Sequence, residues 1–278
     1  MTASLPSPAA RSGRRSLKSR LARGEQLHGV LLRLPSETLV EMAGVAGLDY
    51  VVVDCEHGPA DTALLQHHLT AAAAQGIDVL VRVGTSEPAL ALRCLDLGAA
   101  GIIHPHIESA QDARRAVEAV HYPPLGTRGF ATYSRAGRFG TVPAAEHVAA
   151  SREALVVAMI ETERACAAAE DIAATQGLDA ILVGPADLAA DCGFPAQGVI
   201  EGLTAEVHRA TRAAGRSVMT IVPGAEGARA AGRAGAQLVL CNMAQVLMDT
   251  FRSLAAPEPR GSGSAGVWER RRPGPGPA

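Results

Sequence analysis

The stretch Val51–Pro59, VVVDCEHGP, joins an apolar run to a cluster of ionisable side chains. A histidine beside carboxylates titrates near neutral pH, so His57 can act as a general base. Asp54 is a candidate to orient the ring, and Glu56 is a candidate for electrostatic support of a metal site rather than for a direct ligand. A histidine at the start of a loop is also compatible with a purely structural role, so the interpretation of His57 depends on its neighbours.

Two acidic residues follow later apolar runs in a way that suits a hard divalent cation. Glu161 ends one run and Asp187 comes just after the next, with no thiol or Cys/His spacing nearby. Mg2+ or Mn2+ prefers such carboxylates and keeps open positions, which a 2-oxo acid can fill through adjacent oxygens. The alternative is that Glu161 caps the helix that follows it.

Two further features point to an anionic ligand. Arg82 ends an apolar run, where its fork of donors can hold a carboxylate or an enolate, although pairing with a carboxylate of residues 54–56 is the alternative. Gly184, Pro185 and Ala186 form a turn directly before a predicted helix. Free backbone N–H groups and the helix dipole favour an anion there.

The elements that position these residues alternate between short β-branched runs and longer Ala/Leu-rich segments. The predicted strands are Leu27–Leu34, Tyr50–Glu56, Asp78–Val83, Gly101–Ile107, Ala154–Glu161, Ala180–Gly184, Ser217–Val222 and Gln237–Met243. Their continuous hydrophobicity indicates a parallel sheet covered on both faces. Eight βα units in about 240 residues predict an α/β fold of the (β/α)8 TIM-barrel type.

Helix starts are predicted where N-cap residues precede Ala/Leu-rich segments. These residues are Ser36, Asp61, Ser86 and Ser109. In a barrel of this type the active site lies where the carboxyl ends of the strands meet. The candidate residues all lie at the carboxyl ends of predicted strands or just past them, and buried charges gathered at one rim require partners or a metal ion.

Composition narrows the class of partner. With a net charge of −2 and only 3% aromatic residues, the chain lacks the basic surface and stacking side chains of a nucleic-acid-binding protein. No apolar run reaches the roughly 18 residues of a membrane span, and no secretory signal core is present, which predicts a cytoplasmic protein without a membrane partner. Five scattered cysteines without a CxxC pair are expected to be reduced packing residues.

The two ends of the chain have a different composition. Residues 1–16 are rich in Ser, Pro and Arg, and residues 258–278 have the composition of a linker. Both are predicted to be disordered tails, which places the barrel domain at residues 17–257.

Taken together, the motifs resemble a known enzyme family. DCEHGP, VLVRVG, YPPLGTRG with SRAGRFG, MIET and GPADLAADCG occur in the order and approximate spacing of the metal-dependent class II pyruvate aldolases of the HpcH/HpaI type. The resemblance extends from about Gly29 to Leu247. It implies a TIM barrel that cleaves 4-hydroxy-2-oxo acids to pyruvate and an aldehyde, or catalyses the reverse addition, through a metal-bound pyruvate enolate.

The resemblance also implies roles for individual residues. Glu161 and Asp187 hold the divalent cation, which is Mg2+, Mn2+ or Co2+. Arg82 holds the pyruvyl oxygen, His57 performs acid–base chemistry with a water, and the turn at Gly184, Pro185 and Ala186 supplies amides to the carboxylate.

The resemblance further implies an oligomer. Asp96 matches an aspartate that reaches the active site from a neighbouring subunit and is an alternative to Asp54 as the acidic partner of the histidine. Relatives are homo-oligomers, commonly hexamers built as trimers of dimers. The predicted partners are therefore further copies of this chain and the small-molecule 2-oxo acid and aldehyde.

One observation excludes a competing mechanism. Lys18, in the basic N-terminal stretch, is the only lysine, so a Schiff-base class I aldolase is excluded. Three positions depart from the family pattern: Leu31 in place of a tryptophan, Met159 in place of a glutamine, and His104 in place of an apolar residue. His104 is a candidate substrate contact or proton donor, with a rim histidine bonded to a loop as the alternative. The acceptor aldehyde is left open.

Other functions remain alternatives. An acyl-CoA lyase of the citrate-lyase β or malyl-CoA type shares the barrel and the metal carboxylates, but needs a site for the CoA nucleotide. A specialised biosynthetic lyase or decarboxylase would use the same scaffold with a different electrophile. A non-catalytic barrel that binds an oxo acid is disfavoured, because it has no need for His57.

Overall fold

A closed barrel of parallel strands forms the centre of the protein. The computed structural model describes residues 15–58, 61–85, 87–196 and 198–255. The strands are β1 (Leu27–Leu32), β2 (Tyr50–Asp54), β3 (Asp78–Arg82), β4 (Gly101–His104), β5 (Leu155–Ile160), β6 (Ala180–Val183), β7 (Ser217–Val222) and β8 (Leu238–Asn242). Each pairs with the next in chain order, and β8 pairs with β1. The predicted (β/α)8 TIM barrel is confirmed.

Helices cover the outside of the barrel. They are α1 (Leu17–Leu21), α2 (Glu37–Val45), α3 (Thr62–Gln75), α4 (Pro88–Asp96), α5 (Ala110–Val120), α6 (Ala144–Ser151), α7 (Glu163–Ala167), α8 (Ala169–Ala173), α9 (Pro185–Asp191), α10 (Val199–Ala213), α11 (Ala225–Arg233) and α12 (Met243–Ala255), with a 3-10 turn at Arg138–Gly140. Within the described ranges, none of them combines the length and the apolar character needed to cross a bilayer.

Side-chain caps begin the helices at three of the four predicted positions. The side chains of Ser36, Asp61 and Ser109 accept hydrogen bonds from backbone N–H groups in the first turns of α2, α3 and α5. The fourth prediction, Ser86, lies outside the described residues. The helix that follows it begins at Pro88, with Glu87 at the N-cap.

Several strands end earlier than predicted. β1 ends at Leu32, two residues before the predicted Leu34, and β4 ends at His104 rather than at Ile107. Pro105 lacks an N–H group and cannot continue the hydrogen-bond ladder of β4. The residues beyond the strand ends therefore form rim loops rather than sheet.

The side chains of each strand alternate between two buried layers. Inside the barrel, Leu31, Val52, Leu80 and Ile103 belong to one apolar cluster. Their neighbours along the strands, such as Ile102, pack outward against the helices in a second cluster. Because the side-chain period of a strand is two, the inward residue that follows this inner layer on each strand lies at the rim of the barrel.

The amino-terminal segment closes the other end of the barrel. Leu17 and Leu21 of α1 pack with the inner cluster, and Lys18 Nζ lies 2.9 Å from Asp179 Oδ1. Ser16 accepts a hydrogen bond from the N–H of Ser19 and therefore belongs to the fold rather than to the predicted tail. Apart from residues 15 and 16, the predicted tails 1–16 and 258–278 lie outside the described residues.

Candidate active site

A cavity of about 470 Å3 opens at the carboxyl ends of the strands. Its lining residues come from both sides of the barrel mouth and are Leu31, Arg33, Val52, Arg82, Ile103, Met159, Leu182, Gly184, Pro185, Ala186, Asp187, Ile221, Val222, Pro223, Leu240, Asn242 and Gln245. The floor is the inner apolar layer, and the polar side chains lie above it. An apolar floor with a few convergent polar groups is typical of a small-molecule site.

Asp54 joins two arginines at the rim of this cavity. It accepts hydrogen bonds from Arg82 Nε at 2.9 Å, from Arg82 Nη2, and from Arg33 Nε at 2.6 Å. Burial alone raises the pKa of the Asp54 carboxyl, but the hydrogen bonds from Arg82 and Arg33 outweigh it and lower the pKa to about 2. Asp54 is therefore an ionised anchor for both guanidinium groups.

Arg82 is almost fully buried, with 4% of its side chain exposed. Its remaining nitrogen, Nη1, lies 3.3 Å from Glu56 Oε2 and 3.6 Å from Met159 Sδ. The ion pair that the sequence left as an alternative is thus present. A thioether sulfur is a weak acceptor, so Nη1 is the donor of Arg82 that a ligand oxygen in the cavity can best recruit.

Glu161 lies buried at the rim, directly after β5. Burial raises the pKa of its carboxyl and the nearby carboxylates of Asp187 and Glu56 raise it further, against a lowering by the backbone N–H of His106, which donates to Oε2 at 2.8 Å. Glu161 does not cap a helix, because Thr162 is the N-cap of α7. A buried carboxyl whose pKa is raised by neighbouring carboxylates is suited to hold a cation.

The donor set fits a hard divalent cation with open positions. Glu161 and Asp187 supply two carboxylates, and a Cβ added at Gly184 would come within 2.7 Å of Glu161 Oε1, so the backbone closely approaches this carboxylate. Among the described residues there is no group of three or more His, Cys, Asp or Glu side chains arranged to hold a metal. Two carboxylates with the rest of the shell left to water or substrate match the preference of Mg2+ or Mn2+.

The turn that precedes α9 offers fewer amides than expected. The N–H of Gly184 donates to Ile160 O at 2.9 Å, and Pro185 at the first helical position has no N–H. Ala186 is the remaining one of the three, and its N–H lies in the first turn of α9, where no partner within the helix exists. Ala186 is therefore the residue of the predicted anion-binding turn whose backbone N–H can donate to an anion.

His57 lies at the rim outside the residues that line the cavity. Half of its side chain is exposed, and its Nε2 is 3.9 Å from Glu56 Oε2. Its backbone N–H, rather than its ring, donates to Asp54 Oδ1 at 3.2 Å. The expected orientation of the ring by Asp54 is thus absent from the structure, because the oxygens of that carboxylate already receive arginine and backbone donors.

His106 is a rim residue for which the sequence analysis assigned no role. Its ring Nε2 lies 3.2 Å from Glu56 Oε1 and its Nδ1 3.3 Å from Glu161 Oε2, and its backbone adopts a positive φ of 51°. It therefore connects the Arg82 side of the site to the carboxylate side through Glu56. The HPH sequence around Pro105 is the signal that marks this turn.

His104 does not face the cavity, contrary to the expected substrate contact. It lies one residue after Ile103, which points into the barrel, so its side chain points outward between the strands and the helices. There it lines a separate cavity of about 270 Å3 together with Glu87, His106 and Arg115. Burial lowers the pKa of His104 to about 4, and its Nε2 has no hydrogen-bond partner among the described residues.

Asp96 is not brought into the site of its own chain. It is the last residue of α4, which runs back from the rim to the other end of the barrel. Its carboxylate accepts a hydrogen bond from Arg128 Nη2 at 2.6 Å, and its backbone carbonyl accepts from the N–H of Ala136. Any contribution of Asp96 to an active site requires a second subunit.

The five cysteines are free, as expected. Burial raises the pKa of the Cys55 thiol to about 12 and also raises the pKa of the Cys94 thiol, which keeps both thiols protonated and inert near neutral pH. Within Val51–Pro59, the residues that can take part in catalysis are therefore Asp54, Glu56 and His57.

Three polar residues of the cavity were not singled out from the sequence. Arg33 follows β1, and Asn242 and Gln245 lie where β8 leads into α12. Arg33 carries the same signal that identified Arg82, which is a charged residue directly after an apolar strand. Asn242 is the last residue of its strand, but a lone amide at that place has many structural uses.

Comparison with known proteins agrees with this architecture. The family model for HpcH/HpaI aldolase/citrate lyase matches residues 28–242. Over 193 residues, covering 68% of this chain and 75% of the relative, the sequence is 39% identical to a 2-dehydro-3,6-dideoxy-6-sulfogluconate aldolase of Pseudomonas putida. Over 180 residues it is 37% identical to a pyruvate aldolase of Rhizobium etli, covering 65% of this chain and 70% of that protein.

A solved structure shows the same barrel. The crystal structure of a HpcH/HpaI aldolase/citrate lyase family protein from Burkholderia cenocepacia matches with a TM-score of 0.80 and 34% identity, over 86% of this chain and 97% of that one. The fold, the rim and these relatives define a carbon–carbon lyase of the aldolase class. The chain belongs to the HpcH/HpaI aldolase/citrate lyase family.

Proposed function

We propose that this protein is a divalent-metal-dependent aldolase that cleaves or forms 4-hydroxy-2-oxo acids through a pyruvate enolate. The observation that carries the proposal is the pairing of two sides at one cavity. On one side Asp187 lines the cavity, and the buried Glu161 lies directly behind the lining residue Gly184. On the other side the cavity is lined by the buried Arg82, which Asp54 holds. A 2-oxo acid with adjacent oxygens has the chemistry to connect them.

Glu161 and Asp187 are the residues that would hold the cation, with Mg2+, Mn2+ and Co2+ as candidates. When bound there, the cation would supply a Lewis acid beside the 2-oxo group. The pKa of the Glu161 carboxyl, raised by burial and by the nearby carboxylates, supports the assignment, because the charge of a divalent cation favours the ionised form of Glu161.

Arg82 stabilises the negative charge that develops on the C2 oxygen. In the cleavage direction the 4-hydroxyl loses its proton, the C3–C4 bond breaks, and its electron pair moves into the C2–C3 enolate. Two of the Arg82 nitrogens are fixed by Asp54, so the guanidinium keeps its position while Nη1, which lies near Met159 and Glu56, donates to this oxygen. A preorganised donor of this kind is the main source of electrostatic catalysis.

Proton transfer is assigned to His57 acting through a water. Its half-exposed position near Glu56, outside the cavity lining, supports an indirect route rather than direct contact with the substrate. The 1-carboxylate is assigned to the N–H of Ala186, and the position of this residue in the cavity lining and in the first turn of α9 supports the assignment. The chain thereby contributes donors to the carboxylate and to the C2 oxygen, and a base that accepts the proton of the reacting hydroxyl.

We also propose that the active unit is a homo-oligomer, in which Asp96 serves the site of a neighbouring subunit. Its place at the far end of its own barrel supports this assignment. The carboxyl-terminal helix α12 presents Met248, Phe251 and Leu254 as exposed apolar side chains. An amphipathic helix with an uncovered apolar face is suited to pack against a second copy of the chain.

Two assays test the proposed reaction on the full-length protein. The first follows exchange of the pyruvate methyl protons for deuterium by NMR, with and without Mg2+, Mn2+ or Co2+. The second follows pyruvate release from a panel of 4-hydroxy-2-oxo acids under the same conditions. We expect both reactions to require a divalent cation. Metal-independent turnover, or no exchange and no cleavage with any cation, would refute the proposed function.

A further inference from the structure

Arg33 is a cation of the cavity that the proposed reaction leaves without a role. Its Nε donates to Asp54 Oδ2 at 2.6 Å, and 36% of its side chain is exposed. Within the part of the chain that the structure describes, the hydrogen bond of its side chain is made by Nε, and its two terminal nitrogens make none. Most of the guanidinium fork is therefore available to a ligand in the cavity, which Arg33 lines.

The carboxylate that Arg33 contacts is already committed to Arg82. Oδ1 of Asp54 receives Arg82 Nε and the backbone N–H groups of Glu56 and His57, and Oδ2 receives Arg82 Nη2. Arg82 is thus the bidentate partner, whereas Arg33 has a single contact. An arginine held by one nitrogen keeps a positioned, charged donor face for a second anion.

The strand order places Arg33 across the cavity from the metal side. In a closed barrel of eight strands, β1 and β5 lie opposite each other, and β1 lies between β8 and β2. Glu161 follows β5, whereas Arg33 follows β1 and has Asn242 and Gln245 as cavity neighbours from the β8 side. A substrate whose oxo-acid end lies at Glu161 therefore extends its other end toward Arg33.

We infer that Arg33 determines specificity by binding an anionic group at the aldehyde end of the substrate. This inference rests on the proposed aldolase function and narrows its substrate class. The preferred acceptors are aldehydes that carry a carboxylate or a phosphate, whose oxygens accept from the two terminal nitrogens of Arg33. Asn242 and Gln245 add neutral amide donors at the same end of the cavity.

The experiment compares matched pairs of acceptor aldehydes, with pyruvate and Mg2+ at saturation. The carboxylate pair is succinic semialdehyde and butanal, and the phosphate pair is glyceraldehyde 3-phosphate and glyceraldehyde. For each pair the ratio of kcat/KM, anionic over neutral, is measured in the wild type and in Arg33→Gln. Because the ratio cancels general effects on enolate formation, it reports on the acceptor end alone.

We expect the wild type to prefer the anionic member of at least one pair, and the pair that shows the preference identifies the group. In Arg33→Gln the ratio should fall by about 10- to 100-fold, as expected for loss of a charge-assisted hydrogen bond. Arg33→Lys should retain part of the preference and keeps the test informative if the glutamine variant folds poorly. Arg209→Gln, which removes a charge from the distant surface of α10, should retain the full ratio.

The inference and the proposed function fail in different ways. Deuterium exchange into pyruvate needs no acceptor, so its absence from the wild type contradicts the aldolase itself. If exchange is present but the wild type has no preference for an anionic aldehyde, the role of Arg33 is refuted. An unchanged ratio in Arg33→Gln also refutes that role and leaves the aldolase assignment intact.

Discussion

Asp54 holds the guanidinium of Arg82 from two sides, with Nε on Oδ1 at 2.9 Å and Nη2 on Oδ2. The two residues lie directly opposite each other on the neighbouring strands β2 and β3. Both point inward, immediately above the apolar layer of the barrel. This pair places a charged donor at the edge of a cavity with an apolar floor, and substitutions of either residue test the role of that donor.

Replacing Arg82 by lysine should lower kcat/KM for aldol cleavage by about 100-fold or more, because an ammonium cannot bond Asp54 on both oxygens and still direct a donor into the cavity. Steady-state kinetics on a 4-hydroxy-2-oxo acid measure the loss. Arg209→Lys, at an exposed ion pair on α10, is the matched control and should behave as the wild type. An Arg82→Lys enzyme with near-normal kcat/KM would show that the fork is dispensable.

Replacing Glu161 by glutamine should abolish metal binding and activity together, because one of the two carboxylates assigned to the cation is lost. Binding of Mn2+ is measured by calorimetry or by electron paramagnetic resonance, alongside cleavage activity. Glu163→Gln removes an exposed carboxylate two residues away and should change neither measurement. Retention of tight Mn2+ binding by Glu161→Gln would show that residues other than Glu161 hold the cation.

The low pKa of Asp54 predicts a specific loss of stability in acid. Its folded pKa of about 2 lies below the ordinary 3.8, so its contribution is complete above 3.8 and is lost as the pH falls toward 2. The contribution is about 2 kcal/mol. Urea unfolding across this range should show a shallower pH dependence in Asp54→Asn than in the wild type. Asp249→Asn, at an exposed pair on α12, should keep the wild-type slope, and equal slopes in all three proteins would contradict the prediction.

His104 predicts a second pH dependence at higher pH. Burial lowers its pKa from the ordinary 6.5 to about 4, so the neutral imidazole stabilises the fold fully above 6.5 and this contribution is lost as the pH falls toward 4. Between about pH 7 and pH 4.5 the free energy of unfolding should fall by roughly 2 kcal/mol from this residue. His104→Leu should remove that part of the slope, measured by urea unfolding. The exposed His67→Gln is the control, and an unchanged slope in His104→Leu would exclude a buried neutral histidine.

The proposed role of Asp96 can be tested by mixing subunits. Asp96→Asn and Glu161→Gln should each be inactive alone. If Asp96 serves a neighbouring site, refolding the two variants together should restore roughly a quarter of the wild-type activity, because random assembly then creates sites with both wild-type residues. Sedimentation of each variant checks that the oligomer forms. No recovery in properly assembled mixtures would place Asp96 outside the catalytic unit.

The strand pattern was sufficient to predict the barrel and the rim. Eight apolar runs of similar spacing correspond to the eight strands, and the charged residues at their ends, such as Arg82 and Glu161, lie at the mouth of the barrel. The reason is physical, since a strand buried on both faces leaves polar side chains only at its ends. The position of the charged residues at the rim could therefore be predicted from the sequence before their contacts were known.

The direction of a side chain was harder to predict. His104 and Arg82 both end apolar strands, yet Arg82 faces the cavity and His104 faces the helices. The period of two along a strand decides between these outcomes, so an error of one residue reverses the assignment. The same period, counted from Leu31, would have placed Arg33 in the cavity.

The sequence by itself determined the fold class, the rim on which the chemistry lies and the exclusion of a Schiff-base mechanism, because hydrophobic periodicity and the single Lys18 are properties of the chain alone. The tertiary structure decided which charges meet. It assigned Asp54 to Arg82 and Arg33 rather than to the ring of His57, and it placed Asp96 at the far end of the barrel. These pairings join residues from different strands and helices, and their distances follow from barrel closure and side-chain direction, which no local pattern records.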